Sequence, residues 1–250
     1  SGFTISDFDV RDTSRAFTGG LGIIYRLNPQ INLTTNIMRG FRQPAPVLGV
    51  SKFTYGVSVP SIDLRSEIAT TYELGSRIKS DKLQILLQAY YTDLKDFLVN
   101  QRSTFHGQDW FDWNNNGMRD SGEDVYQRKN AGEGYVKGIE IEAMSQLNLL
   151  FPGLDEGWFV SGGFNWMEGY DKTNNDHLSK LSPTRGVIKL GYEEKKEKKY
   201  WFEISCDMVA PFDKIRSDQL LTDPAFRTEP QDMSSPLLDG GTIPGYAVFD

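Results

Sequence analysis

Between residues 64 and 78 the chain alternates. Even positions read Leu64, Ser66, Ile68, Thr70, Tyr72, Leu74, Ser76 and Ile78; odd positions read Arg65, Glu67, Ala69, Thr71, Glu73, Gly75 and Arg77. Successive strand residues point to opposite faces, so this predicts a strand with one largely apolar face and one charged or small face. About 15 residues is long for a strand, where five or six is typical. The pattern recurs. Leu83, Ile85, Leu87, Ala89 and Tyr91 oppose Gln84, Gln88 and Thr92, with Leu86 and Tyr90 as exceptions. From Tyr135, Ile139, Ile141, Ala143 and Leu147 oppose Gly138, Glu140, Glu142, Gln146 and Asn148. Tyr200, Phe202, Ile204, Cys206 and Met208 oppose Trp201, Glu203, Ser205 and Asp207. Weaker alternation marks residues 17–27, 31–41, 158–166 and 184–192, and a further strand begins at Tyr246. The predicted fold is all-β and antiparallel, with about nine strands.

A helical membrane protein needs apolar runs of roughly 18 residues or more, and none occurs here. A membrane β-barrel does not need them, because its spans are only half apolar. The predicted connections alternate in length. Short ones fall at 28–30, 79–82, 151–157 and 194–199, and long ones at 43–63, 100–131, 169–183 and 210–245. Outer-membrane barrels have short periplasmic turns and long extracellular loops. Tyr25, Phe41, Tyr72, Tyr91, Tyr135, Trp158, Trp166, Tyr192 and Tyr200 all fall on the apolar face, many near strand ends. Aromatic girdles at both membrane interfaces account for this; a soluble sandwich would place the same rings in its core. The alternation therefore predicts a transmembrane barrel facing outer-membrane lipid, with a secreted β-sandwich as the rival.

The formal net charge of -7 argues against a nucleic-acid partner, which requires a basic surface. The single cysteine, Cys206, excludes an internal disulfide framework and a Cys-based zinc cage; on the apolar face it serves as a small apolar group. The chain starts Ser-Gly-Phe with no export signal in view, as a mature or partial chain would. No Gly-x-Ser-x-Gly elbow, phosphate-binding glycine loop or His-Glu-x-x-His occurs, and the chain is not expected to be an enzyme.

Particular stretches carry a resemblance. Arg39-Gly40-Phe41-Arg42-Gln43-Pro44-Ala45-Pro46, then Asp63-Leu64-Arg65-Ser66-Glu67 with Tyr72-Glu73-Leu74-Gly75, are followed by Tyr90-Tyr91-Thr92-Asp93-Leu94-Lys95-Asp96-Phe97. Next come Asn130-Ala131-Gly132 with Val136-Lys137-Gly138-Ile139-Glu140, and more loosely Leu181-Ser182-Pro183 and Gly245-Tyr246. In this order and spacing they resemble the middle and late barrel strands of TonB-dependent outer-membrane transporters. Ser66 stands where that family often has proline. The resemblance implies that residues 1–250 are part of one barrel domain of about 22 strands, without the plug domain and its TonB-contact segment. It implies TonB-energised uptake of a scarce nutrient across the cell outer membrane of Gram-negative type, most commonly a ferric siderophore or other metal chelate captured on extracellular loops. A structural or adhesive barrel whose loops bind a protein is the alternative. Gly75 and Gly138 fall on the lumen face, where a missing side chain leaves room for a plug or a bend. Glu67, Glu73, Glu140 and Glu142 share that face, either pairing with basic plug residues or standing as solvated lumen charge.

One long connection carries a sharper motif. Residues 112–123 place Asp112, Asn114, Asn116, Asp120 and Glu123 at positions 1, 3, 5, 9 and 12 of a calcium-type loop, with Gly117 at position 6 and the Met118 carbonyl at position 7. Calcium takes six to eight hard oxygen ligands, so these six residues are the candidate metal ligands; a polar, turn-rich loop is the plainer reading. Trp110 and Trp113 flank the first ligand. His106 and His177 fall in long connections and are expected to be solvated or loop-packed; a haem transporter of this family would be expected to carry a His between residues 42 and 64, and none occurs there.

Overall fold

The computed structural model describes residues 16–45, 47–53, 56–62, 64–178, 181–214 and 244–249. Twelve strands form one sheet: β1 (Gly19–Arg26), β2 (Ile31–Arg42), β3 (Ser51–Phe53), β4 (Gly56–Ser58), β5 (Glu67–Lys79), β6 (Leu83–Arg102), β7 (Val125–Gln146), β8 (Trp158–Asp171), β9 (Asp176–His177), β10 (Arg185–Glu193), β11 (Trp201–Val209) and β12 (Tyr246–Phe249). The main path runs β1-β2-β5-β6-β7-β8-β10-β11-β12. Every pair along it is antiparallel. These are the nine strands read from the alternation. The three short strands lie within long connections, too brief to carry a period.

The registers place the alternating residues on two opposite faces. One row runs Leu33, Ser76, Leu87, Ile141, Phe164, Gly186 and Met208 across seven strands. The opposing row runs Thr34, Gly75, Gln88, Glu140, Asn165, Arg185 and Val209. Ile68, Tyr72, Leu74, Ile139, Ile141, Phe202 and Ile204 lie on the first face, and Glu67, Glu73, Glu140, Glu142 and Glu203 on the second, as the sequence predicts. The apolar face is bare: Leu74 is 66% and Ile204 59% exposed. Cys206 belongs to it, opposite Ile188 and Phe249. The polar face is knitted by cross-strand bonds, among them Asn36 Nδ2 to Glu73 Oε2 (3.2 Å), Asn165 Nδ2 to Glu140 Oε1 (3.1 Å) and Lys189 Nζ to Glu203 Oε1 (2.9 Å).

Tyr90, an exception in the alternation, has a reason to sit on the polar face. It lies over Gly138, where an added Cβ would stand 2.5 Å from the Tyr90 hydroxyl and 2.7 Å from the Trp166 carbonyl. The gap at Gly138, expected to admit a plug or a bend, is filled by this ring. The four short connections share one end of the sheet and the four long ones the other, as strict antiparallel succession requires. The short ends close on their own side chains. Asn28 Oδ1 accepts from the N–H groups of Gln30 and Ile31. Glu194 accepts from those of Lys196 (2.7 Å) and Glu197 (2.8 Å). The N–H groups of Glu197 and then Lys196 hold the Glu194 carboxyl below its ordinary value.

Two outcomes follow from this packing. Gly138→Val, with no free volume on either side, should destabilise the folded barrel by about 1–3 kcal/mol, read as a lowered unfolding midpoint of the full-length protein. The Glu194 contribution is present above the ordinary carboxylate range and lost as pH falls through the lowered value. Amide exchange at Lys196 and Glu197 should therefore accelerate on acidification beyond its intrinsic pH dependence, and Glu194→Gln should flatten that extra response.

Candidate ligand-facing loops

The site grows from a hairpin that outlasts its neighbours. β5 pairing starts at Ile68 with Lys95, and β8 pairing ends at Asp171 with Gly134, yet β6 and β7 continue to Arg102 with Tyr126. The register slips between Lys95 and Phe97 and again between Phe97 and Leu98, at Asp96 with φ 55°. Bulges of this kind bend and twist a ladder. The connection expected over 100–131 is therefore ordered strand at both ends, and the true loop spans 103–124. Strand-like bonds reach the ends of 112–123: Phe111 N–H to Glu123 O (2.8 Å), Val125 N–H to Asp109 O (2.9 Å) and a bridge between Trp110 and Asp124.

A second long connection straps this hairpin. β4 pairs in parallel with β7 at Val57 and Val125, and the chain ahead of β5 is pinned to β7 as well, Val59 N–H donating to Tyr126 O at 3.0 Å and Arg128 N–H to Ser61 Oγ at 3.1 Å. Asn130 donates to the carbonyls of Arg65 (2.7 Å) and Asp96 (2.6 Å) and accepts from Arg65 N–H (2.6 Å). Arg65 pairs with Asp96 at 2.5 Å. Val57, Val59, Leu64, Val99 and Val125 are the buried hydrophobic residues among those described, and all belong to this cap. Asp63, Pro46 and most of the 210–245 connection lie outside the described residues.

Within 103–124 the six candidate ligands are ordered by their own bonds. Asp112 accepts from the N–H groups of Asn116 (3.0 Å) and Gly117 (2.8 Å). Gly117 has φ 75°, a backbone state that suits glycine. Asn114 and Asn116 both donate to Asp120 Oδ2, at 2.7 and 2.6 Å, and Asn116 Oδ1 accepts from Met118 N–H. Glu123 is 1% exposed; its two oxygens accept from Trp113 N–H (2.8 Å) and Asp120 N–H (3.0 Å). Among the described residues no three His, Cys, Asp or Glu side chains are grouped to hold a metal ion. Asn114, Asn116 and Asp120 thus converge, while the Asp112 and Glu123 carboxylates serve backbone N–H groups. Arg119, with no motif to mark it, bridges Asp109 and Asp124, and the Asp124 hydrogen bond raises its guanidinium pKa. Phe105, Phe111 and Trp113 form a tilted aromatic run. His106 sits edge-on to Phe105 at 4.2 Å, and His177 edge-on to Tyr170 at 6.0 Å, both loop-packed as expected. Trp113 is 42% exposed.

Comparison with known proteins matches this geometry. No curated protein matches the chain by sequence. Among solved structures, the copper transporter OprC aligns with TM-score 0.61 at 18% identity over 93% of this chain and 30% of its own. A variant of the ferric enterobactin receptor PfeA from Pseudomonas aeruginosa aligns with TM-score 0.63 at 16% identity, over 93% and 31%. The FrpB iron transporter from Neisseria meningitidis aligns with TM-score 0.57 at 14% identity, over 92% and 30%. The chain thus spans about three tenths of the length of these proteins, and the likeness shows a shared fold. The model of the TonB dependent receptor-like β-barrel matches residues 2–250. With the alternation, the sorted connections and that match in hand, the chain belongs to the TonB-dependent receptor β-barrel family, a family of outer-membrane transporters and not of enzymes.

Proposed function

We propose that residues 1–250 are part of one barrel domain of an outer-membrane transporter. Its long loops capture a scarce nutrient, and TonB, acting through a plug segment, supplies the energy for entry. A ferric siderophore or another metal chelate is the substrate class that fits best, since proteins of the same fold include a copper transporter, an iron transporter, a ferric enterobactin receptor and a ferric yersiniabactin uptake receptor. The observation that carries the reading is the division of the molecule. A bare apolar face suits lipid, and a polar, hydrogen-bonded face suits a filled lumen. The buried apolar core is gathered in the loops at one end, where a ligand would meet ordered structure. On β8 the outward rings from Trp158 to Tyr170 span about 40 Å along the strand at ~3.3 Å per residue. At ~40° tilt that is about 30 Å of membrane, an apolar band with its girdles.

Deleting the full-length gene should abolish uptake of one labelled metal chelate from a panel of siderophores and copper complexes. Replacing 103–124 by a short turn should lose that uptake while the barrel still folds. Unchanged uptake of the whole panel would instead favour a barrel that binds a protein. Ile141→Arg should cost ~2–4 kcal/mol of folding stability in a bilayer, and Glu142→Arg little, measured by reversible unfolding in liposomes; equal costs would reject the outward apolar face.

A second reading concerns 112–123. We propose that calcium enters this loop, drawing Asp112, Asn114, Asn116, the Met118 carbonyl, Asp120 and Glu123 onto one centre. The sharp turn at Gly117 and the shared reach of Asn114 and Asn116 to Asp120 support it. Adding calcium to the chelated full-length protein should slow proteolysis within 103–124, and Asp112→Ala with Glu123→Ala should remove that protection. Equal cleavage with and without calcium would leave the segment a hydrogen-bonded turn.

A further inference from the structure

The turn between β7 and β8 is unlike its charged neighbours. Residues 147–154 read Leu-Asn-Leu-Leu-Phe-Pro-Gly-Leu, with no charge before Asp155. The turn after β10 reads Glu194-Lys195-Lys196-Glu197-Lys198-Lys199, and Asp81 and Lys82 stand between β5 and β6. Leu149 is 46%, Leu150 61%, Phe151 59% and Leu154 42% exposed. The segment is ordered all the same. A single 3-10 turn, Leu147–Leu149, follows β7, and the Leu147 carbonyl accepts from the N–H groups of Leu150 (3.1 Å) and Phe151 (2.9 Å). The Phe151 carbonyl accepts from Leu154 N–H (3.1 Å), and Asp155 Oδ1 from Gly157 N–H (2.8 Å). Four large apolar side chains are thus left largely uncovered on a fixed backbone.

Both ends of this turn join the apolar face of the wall. Leu147 follows Ile141, Ala143 and Ser145 at the strand spacing of two, and the ladder stops just before it, at Gln146 with Phe159. At the exit, a Cβ added to Gly157 would stand 2.6 Å from the Tyr192 ring. Tyr192 lies between Trp158 and Phe202 on the apolar face. The Trp158 ring meets those of Tyr192 and Phe202 at 5.2 and 5.5 Å, and Tyr192 stacks on Tyr200 at 6.0 Å. Aromatic clusters of this kind belong at a membrane interface. The depth agrees. Three residues at ~2.0 Å rise carry the chain no more than about 6 Å past the ladder, and interfacial segments sit about 5–10 Å into the boundary of headgroups and acyl chains. A protein partner would ordinarily cover ~800 Å² with about 20–30 residues. Four apolar side chains fall short of that beside the charged 194–199 turn, which adjoins them where Glu193 N–H donates to Gly157 O (3.0 Å).

We propose that Leu149, Leu150, Phe151 and Leu154 form an apolar wedge that seats the β7–β8 turn among the acyl chains of phospholipids in the leaflet beside the short turns. Acyl contact takes these side chains out of water, and the wedge continues the apolar face of the wall without a break. The inference rests on that face meeting lipid and is independent of the nutrient carried.

The test uses full-length protein in vesicles of phosphatidylethanolamine and phosphatidylglycerol. Nitroxide labels are placed one at a time through Leu150→Cys, Ile141→Cys and Lys198→Cys, in a background with Cys206→Ala and any further cysteine replaced. Collisions with oxygen, which concentrates among acyl chains, and with a water-soluble nickel chelate report depth. Oxygen should dominate at the Leu150 and Ile141 positions and the nickel chelate at the Lys198 position, a reversal of the accessibility ratio. A ratio at Leu150 equal to that at Lys198, with oxygen still dominant at Ile141, would overturn the wedge alone. Nickel dominance at Ile141 would overturn the lipid-facing wall and the wedge together. Shielding of the Leu150 position from both reagents in isolated outer membranes would mean a protein cover, and would also overturn the wedge. A second readout needs no substitution. Wild-type protein in vesicles holding a phospholipid with a diazirine near the top of its acyl chain should cross-link within 147–154 and not within 194–199; the reverse pattern, or no cross-link in either turn, would reject the proposal.

Discussion

Backbone hydrogen bonding is the constraint on which this structure rests. An N–H or C=O without a partner costs several kcal/mol in a medium that offers no water, and a sheet answers that only through its neighbours. Each strand on the main path therefore needs the next, and the order β1-β2-β5-β6-β7-β8-β10-β11-β12 is the order of the sequence. Packing plays little part in the wall, whose apolar face is open. Cohesion across it comes from the ladder and from cross-strand contacts such as Asn36 with Glu73 and Tyr90 over Gly138.

The loops obey different physics. Where β6 and β7 outrun their neighbours, the outer edge of each loses its ladder partner, and β4 takes up part of the β7 edge by pairing at Val57 with Val125 and Ser58 with Tyr126. Water is available here, so apolar burial supplies the stability, and Val57, Val59, Leu64, Val99 and Val125 form a small core. The buried Glu123 belongs with them. Its carboxyl oxygens accept from two N–H groups of its own loop, as a buried polar group requires. An ordered cap of this kind can present side chains to a ligand at fixed positions, which a free loop could do only at an entropic cost.

The two ends of the sheet differ accordingly. The short turns close locally through Asn28 and Glu194. The long end carries the cap inside the loops. Both polarities arise from one antiparallel succession, which sends alternate connections to opposite sides.

Much of this was legible in the chain itself. Period 2 partitions Ile139 and Ile141 from Glu140 and Glu142 because a side chain's face in a strand is decided by parity alone, and the register confirms that partition. The nine main strands, the sorting of short and long connections and the family motifs are all local patterns. The rest is non-local. Asn130 meets Arg65 from 65 residues away, and no periodicity encodes such a meeting. The slips at Asp96 depend on strand twist, and β3, β4 and β9 are too short to show a pattern. The placing of Tyr90 over Gly138 depends on which residue of β7 lies opposite β6. Sequence determined which side chains seek water and which avoid it. Tertiary structure decided which backbone edge, beyond the reach of the neighbouring strands, each loop would cover, because that depends on where the ladder's unpaired groups are left.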